Sequence, residues 1–160
     1  MIRTPLLLAG AAALAACNVD TKNPANGDEN VSINADETGN VTFNLPFASG
    51  QVKLPEGMMK NGDFDIDGVK MVPGGTVSGF NVDAGHKGAT VHLAFKAPGS
   101  PDDVRAYFVE QFKAKGVAAS ASGTAVSGTT KDGDAFVIDV GPGAQGSQGT
   151  ITIQSDHDVE

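Results

Sequence analysis

The chain has 160 residues, 40% of them hydrophobic, with 21 glycines and no tryptophan, which sets the expectation of one domain rich in turns and short strands. Its formal charge of −8 excludes a nucleic-acid partner, because phosphate binding requires a basic patch, and no basic segment is present to hold anionic lipid head groups. Eight phenylalanines must carry the core together with Val, Ile, Leu and Met.

The N-terminal run MIRTPLLLAGAAALAAC opens with one cation, Arg3, and continues as an apolar stretch from Leu6 to Ala16. That stretch is too short to span a bilayer as a helix and has the layout of a secretory signal over residues 1–16. It ends in Leu14-Ala15-Ala16-Cys17, and Cys17 is the only cysteine in the sequence. A lone thiol where an apolar run stops needs an explanation in an exported protein. An ordinary signal peptide cut after Ala16, leaving that thiol free, is one explanation.

The other comes from resemblance. Leu14-Ala15-Ala16-Cys17 resembles the lipobox of bacterial lipoproteins, of which uncharacterised Gram-negative envelope lipoproteins are examples. The resemblance implies that the signal peptidase recognises Leu14, Ala15 and Ala16. It also implies that the Cys17 sulfur carries diacylglycerol and that its freed α-amine takes a further acyl chain such as palmitate. In that family an Asp after the cysteine favours retention at the inner membrane, so Asn18 sets the expectation of the periplasmic leaflet of the outer membrane. Removal of residues 1–16 takes away Arg3 and no acid, leaving ten basic against 19 acidic side chains and a formal charge of −9. Several acyl chains on one residue, each buried CH₂ contributing about 0.8 kcal/mol, exceed what stable anchoring needs.

Residues 17–30, with NVDTKNPANGDEN after the cysteine, are polar and lack apolar periodicity, so they form a flexible tether that extends to roughly 40–45 Å at most. A single domain follows over residues 31–155, with a β-rich part at 31–84 and a strand–helix–strands part at 89–155. The runs VSIN, NVTFNLPF and GQVKLP alternate apolar and polar residues, with Val41, Phe43 and Leu45 on one face and Val52 and Leu54 beyond a turn at ASG. In GTVSGFNV, Val77 is out of step with Phe80 and Val82, and Gly79 between them predicts a bulge. ATVHLAFKA places Val91, Leu93 and Phe95 inward.

PGSPDDVRAYFVEQFKAKG predicts the main helix. Ser100 is the N-cap, Pro101 opens the first turn, Asp103 closes a capping box, and Gly116 ends the helix. Val104, Tyr107, Phe108 and Phe112 form its apolar stripe. Strands are predicted at 117–122, 124–130 and 134–140, with KDGD as a hairpin turn and GPGAQGSQG as a glycine-rich loop leading to TITIQS. The tail 156–160 is expected to be frayed. The fold class is α+β: an antiparallel β-rich domain with one main helix packed on a sheet.

No catalytic set is legible. His86, His92 and His157 are not in zinc-ligand spacing, SASGT and AVSGT lack the glycines of a nucleophile elbow, and GPGAQGSQG has no lysine for a phosphate loop. The expectation is a protein that is not an enzyme and has no cofactor. One metal motif needs weighing. In GDFDIDGVKM, Asp63, Asp65, Asp67 and Gly68 match the first, third, fifth and sixth places of an EF-hand calcium loop, but the closing bidentate Glu is replaced by Gly74 and Pro73 blocks an exiting helix. The competing account is a hairpin turning at Asp67-Gly68, with Phe64 and Ile66 buried and Asp63 and Asp65 in water. It explains more of the residues. The leading expectation is therefore a non-catalytic, lipid-anchored envelope protein with an accessory or binding role. Its partners are the membrane, through the lipid, and another envelope protein. A calcium-binding module using Asp63, Asp65 and Asp67 is the alternative, and a periplasmic hydrolase the third.

Overall fold

Alternating apolar and polar residues, interrupted by Gly, Asn and Pro, break this chain into short strands that pair with their neighbours in sequence. The computed structural model describes residues 30–46, 48–53, 64–85 and 88–156. In chain order these give β1 (Val31–Ala35), β2 (Asn40–Leu45), β3 (Ala48–Lys53), β4 (Asp65–Ile66), β5 (Val69–Lys70), β6 (Thr76–Gly85), β7 (Gly88–Ala97), α1 (Pro101–Ala114), β8 (Ala119–Ser122), β9 (Ala125–Thr129), β10 (Ala135–Gly143) and β11 (Gly146–Ser155). Nine strands form one sheet in the order β3-β2-β1-β6-β7-β11-β10-β9-β8, and β4 and β5 form a separate hairpin. Every pairing is antiparallel. One helix on a large antiparallel sheet makes the fold α+β, as the sequence predicts.

The helix forms where its signals are. The Ser100 hydroxyl accepts from the Asp103 amide at 3.2 Å, and the Asp103 carboxylate accepts from the Ser100 amide at 3.3 Å, so two orphan donors of the first turn are satisfied reciprocally. Lys115 caps the other end, and Gly116 follows with φ 72°. Val104, Phe108 and Phe112, four residues apart, are buried against Phe95, Phe136, Ile138 and Ile151 of the sheet. Phe112 stacks on Phe136 with ring centroids 4.5 Å apart, and Phe108 meets Phe95 edge-on at 6.1 Å. Each fully buried Phe stabilises by roughly 1.5–3 kcal/mol.

Glycine has a specific use in this sheet. Phe43 is paired with Gly50, Phe95 with Gly149 and Phe136 with Gly128. In all three pairs a Cβ built on the glycine would lie 2.6 Å from the phenyl ring. Each ring therefore lies over its glycine partner, covering the bare backbone of the next strand.

Several expectations need correction. The reversal after β2 is not at ASG: Leu45 pairs with Ala48, so ASG is already in β3. GPGAQGSQG is not a loop, because β10 and β11 continue through it and Gly143 pairs with Gly146 around a two-residue turn. β6 and β7 likewise pair as far as Gly85 with Gly88. The bulge does fall where Gly79 places it, with the β6–β7 register shifting between Val77 and Gly79. The two parts of the chain share one sheet, joined through β6 and β7. The helix, however, packs on β8 to β11 and on β5, and the apolar residues of β1 and β2 lie on the same face of the sheet without belonging to the helix core.

Candidate functional site

Cys17, the signal-peptidase residues Leu14, Ala15 and Ala16, and Asp63 lie outside the described residues, as do His86 and His157. Asp65 and Asp67 are described, and both belong to a tight hairpin. Asp67 at φ 54° and Gly68 at φ 81° form the primed turn that a two-residue connection favours. The Asp65 carboxylate accepts from the Gly68 amide at 2.9 Å, bracing the turn from within. The Asp67 carboxylate accepts from the Lys131 amide at 2.8 Å, fastening the hairpin to the β9–β10 turn. Ile66 is buried and Phe64 packs on the core, as the hairpin account predicts. Asp65 and Asp67 thus face different backbone donors. Among the described residues, no three His, Cys, Asp or Glu side chains are grouped as a metal would require.

The sheet's other face, opposite the helix, is polar. Cross-strand neighbours there include Asn34 with Asn81, Asn81 with His92, and His92 with Thr152. Asn81 Nδ2 donates to Asn34 Oδ1 at 2.6 Å, and His92 Nδ1 is hydrogen-bonded to the Thr152 hydroxyl at 3.0 Å. Part of this face is concave. The concavity has a volume of about 550 Å³ and is lined by Glu37, Lys96, Thr124, Asp139, Gln148 and Thr150, with Ala94 and Gly141 on its floor.

Register builds this trough. Ala94, Thr150, Asp139 and Ala125 form one row across β7, β11, β10 and β9, and Lys96, Gln148 and Gly141 form the next. The β1–β2 turn closes one end. There the Asp36 carboxylate accepts from the Thr38 hydroxyl at 2.6 Å, the Thr38 amide at 2.9 Å and the Asn40 amide at 3.0 Å. The Thr38 hydroxyl first, then the Asn40 side chain and amide, hold the Asp36 pKa down from 3.8 to about 2. A turn fixed in this way presents Glu37, whose carboxylate is 2.7 Å from the Lys96 ammonium. Both side chains are more than half exposed, so the pair contributes at most about 1 kcal/mol. At the opposite end the β8–β9 turn is pinned by the Val140 amide donating to the Thr124 carbonyl at 2.9 Å, and the Thr124 hydroxyl donates to Asp139 at 3.2 Å.

The trough therefore offers two carboxylate acceptors, an ammonium and an amide as donors, and hydroxyls that do both. Alternation in ATVHLAFKA places Lys96 outward, but Gln148 lies in the stretch read as a loop and only register brings Lys96, Asp139 and Gln148 together, so the sequence alone does not group them. A second concavity of about 480 Å³ lies beside the β10–β11 turn, where the buried Ser147 hydroxyl donates to the Gly99 carbonyl at 2.9 Å. No helix among the described residues is long and apolar enough to cross a membrane. Comparison of the chain with protein families, with curated proteins and with solved structures gave no match.

Proposed function

We propose that the chain is a lipid-anchored, non-catalytic protein of the cell envelope, held at the periplasmic leaflet of the outer membrane, whose folded domain acts as an accessory or binding component. The observation that carries this is Leu14-Ala15-Ala16-Cys17, with its lone cysteine at the end of an apolar run and a polar stretch behind it. Two properties of the sequence support the non-catalytic part. Lipid consumes the only thiol, and the histidines lack metal-ligand spacing. Asn18 in place of Asp supports the outer-membrane assignment. The polar residues between Cys17 and Asn30 give the domain room to work clear of the head groups.

The test is to replace Cys17 by Ser in the full chain, feed cells labelled palmitate and fractionate them. The expected result is label and membrane association in the parent, with both lost in Cys17→Ser. A parent without label, or a variant still in the membrane fraction, overturns the anchoring. Crosslinking in intact cells tests the accessory role, which a reproducible absence of neighbours would overturn.

A further inference from the structure

The geometry points to the trough on the polar face as a binding site for a neutral, hydroxyl-rich glycan chain lying across the strands. This site is independent of the lipid, and an unlipidated protein would retain it.

Shape comes first. The trough runs from Glu37 at the β1–β2 turn, past β6, β7, β11 and β10, to Thr124 at the β8–β9 turn. From β6 to β9 that is four inter-strand spacings, about 19 Å. The turns carrying Glu37 and Thr124 stand at its ends, and between them Ala94 and Gly141 have little or no side chain, so that a Cβ on Gly141 would meet nothing within 4 Å. A lining spread over these strands suits an extended chain more than a compact ligand.

Chemistry then selects the kind of chain. Strands β6, β7, β11 and β10 are each paired on both sides, so their backbone groups are used within the sheet. An extended peptide binds a sheet through a free edge, which the trough does not offer. Only side chains remain for recognition: the carboxylates of Glu37 and Asp139, the donors of Lys96 and Gln148, and the hydroxyls of Thr124, Thr150 and Ser78. A hydroxyl both donates and accepts, so a chain of vicinal diols can satisfy each of these groups, two hydroxyls meeting one carboxylate. Charge disfavours anionic polymers. Glu37, Asp139 and Lys96 leave the trough with one net negative charge on a chain of −8, so a polyanion is repelled.

Among the described residues no aromatic ring lies in the polar rows, so the hydrogen bonds are taken without a stacking contribution. The dissociation constant is accordingly expected near a millimolar, about what a few exposed hydrogen bonds supply.

The experiment uses the ¹⁵N-labelled full chain in a detergent free of sugar. The probes are xylotetraose and cellotetraose as neutral chains, an acidic tetragalacturonate, and a polar extended peptide. The expected result is saturating shifts of the Ala94, Lys96, Asp139, Gln148 and Thr150 amides with a neutral tetrasaccharide. Asp139→Ala and Lys96→Ala should each weaken binding about tenfold while the other resonances report an intact fold. Failure of both neutral chains to shift these amides at about ten times that dissociation constant overturns the proposal. So does a preference for the acidic chain or the peptide, or binding that neither variant weakens.

Discussion

Asp36 organises the β1–β2 turn with one side chain, and its charge state is therefore linked to folding. Its carboxylate accepts hydrogen bonds from the Thr38 hydroxyl and amide and the Asn40 amide, which lower its pKa from 3.8 to about 2. The Ser100 hydroxyl, followed by the Ser100 amide, lowers that of Asp103 in the same direction. A depressed carboxylate contributes stability that is complete above its unfolded pKa and lost as pH falls through the folded one. The melting temperature should therefore fall as pH drops from 3.8 towards 2, and fall less steeply in Asp36→Asn. Parallel curves for parent and variant would remove Asp36 from that account. Asp65 and Asp67 show how one spacing serves two structures. The spacing Asp-x-Asp-x-Asp-Gly suits both an ion loop and a tight turn, because Asp and Gly each tolerate positive φ and short carboxylates cap nearby amides. The hairpin was legible, since Asp-Gly between Ile66 and Val69 has few other uses. The Lys131 amide that Asp67 caps is 64 residues away, and no local pattern announces it.

At the scale of elements, the helix was legible to the residue because its signals are local: Ser100, Pro101, Asp103 and Gly116 act within one or two turns of themselves. The strands around glycine are hidden for the opposite reason. A glycine run in one chain segment looks like a loop, while its role as the bare partner of a phenyl ring depends on a strand distant in sequence. Phe95 over Gly149 is the clearest case, where an added Cβ would lie 2.6 Å from the ring and 2.2 Å from the Asp139 carbonyl oxygen. Gly149→Ala must push Phe95 off Phe108 or bend the β10–β11 ladder. Overpacking of this kind typically costs about 1–3 kcal/mol. Gly141→Ala, in the same hairpin but with open space where its Cβ would go, should change stability by less than about 0.5 kcal/mol. Urea denaturation of the two variants checks this, and equal effects would mean that the ring–glycine contact is not what makes position 149 sensitive. The trough was legible only in part: alternation in ATVHLAFKA gives Lys96 an outward side chain, but Gln148 lies in the segment that reads as a loop, and the register that aligns the two does not follow from either strand alone.

Across the whole molecule, one continuous sheet carries two unequal halves. The helix and the β4–β5 hairpin bury Leu93, Phe95, Phe136, Ile138, Val140 and Ile151 on the second half. On the first half the apolar side of β1 and β2 is only partly buried, and in β3 Val52 remains 52% exposed. The two edge strands are therefore not equivalent. β8 lies under α1, whereas among the described residues β3 packs chiefly on β2. Local opening should follow that asymmetry, because opening free energy falls where few apolar contacts accompany the backbone hydrogen bonds. Hydrogen exchange is expected to be slowest in β7, β10 and β11. Exchange of the β2 and β3 amides that bond to one another should be at least about tenfold faster than that of the amides bonding β8 to β9, a difference of about 1.4 kcal/mol in opening free energy. Since β6 and β7 join the halves, protection should decline stepwise from β7 through β6 and β1 to β3, in spatial order and not in chain order. Uniform protection across all nine strands would instead mean that the sheet opens as one unit, with the helix core stabilising both halves equally.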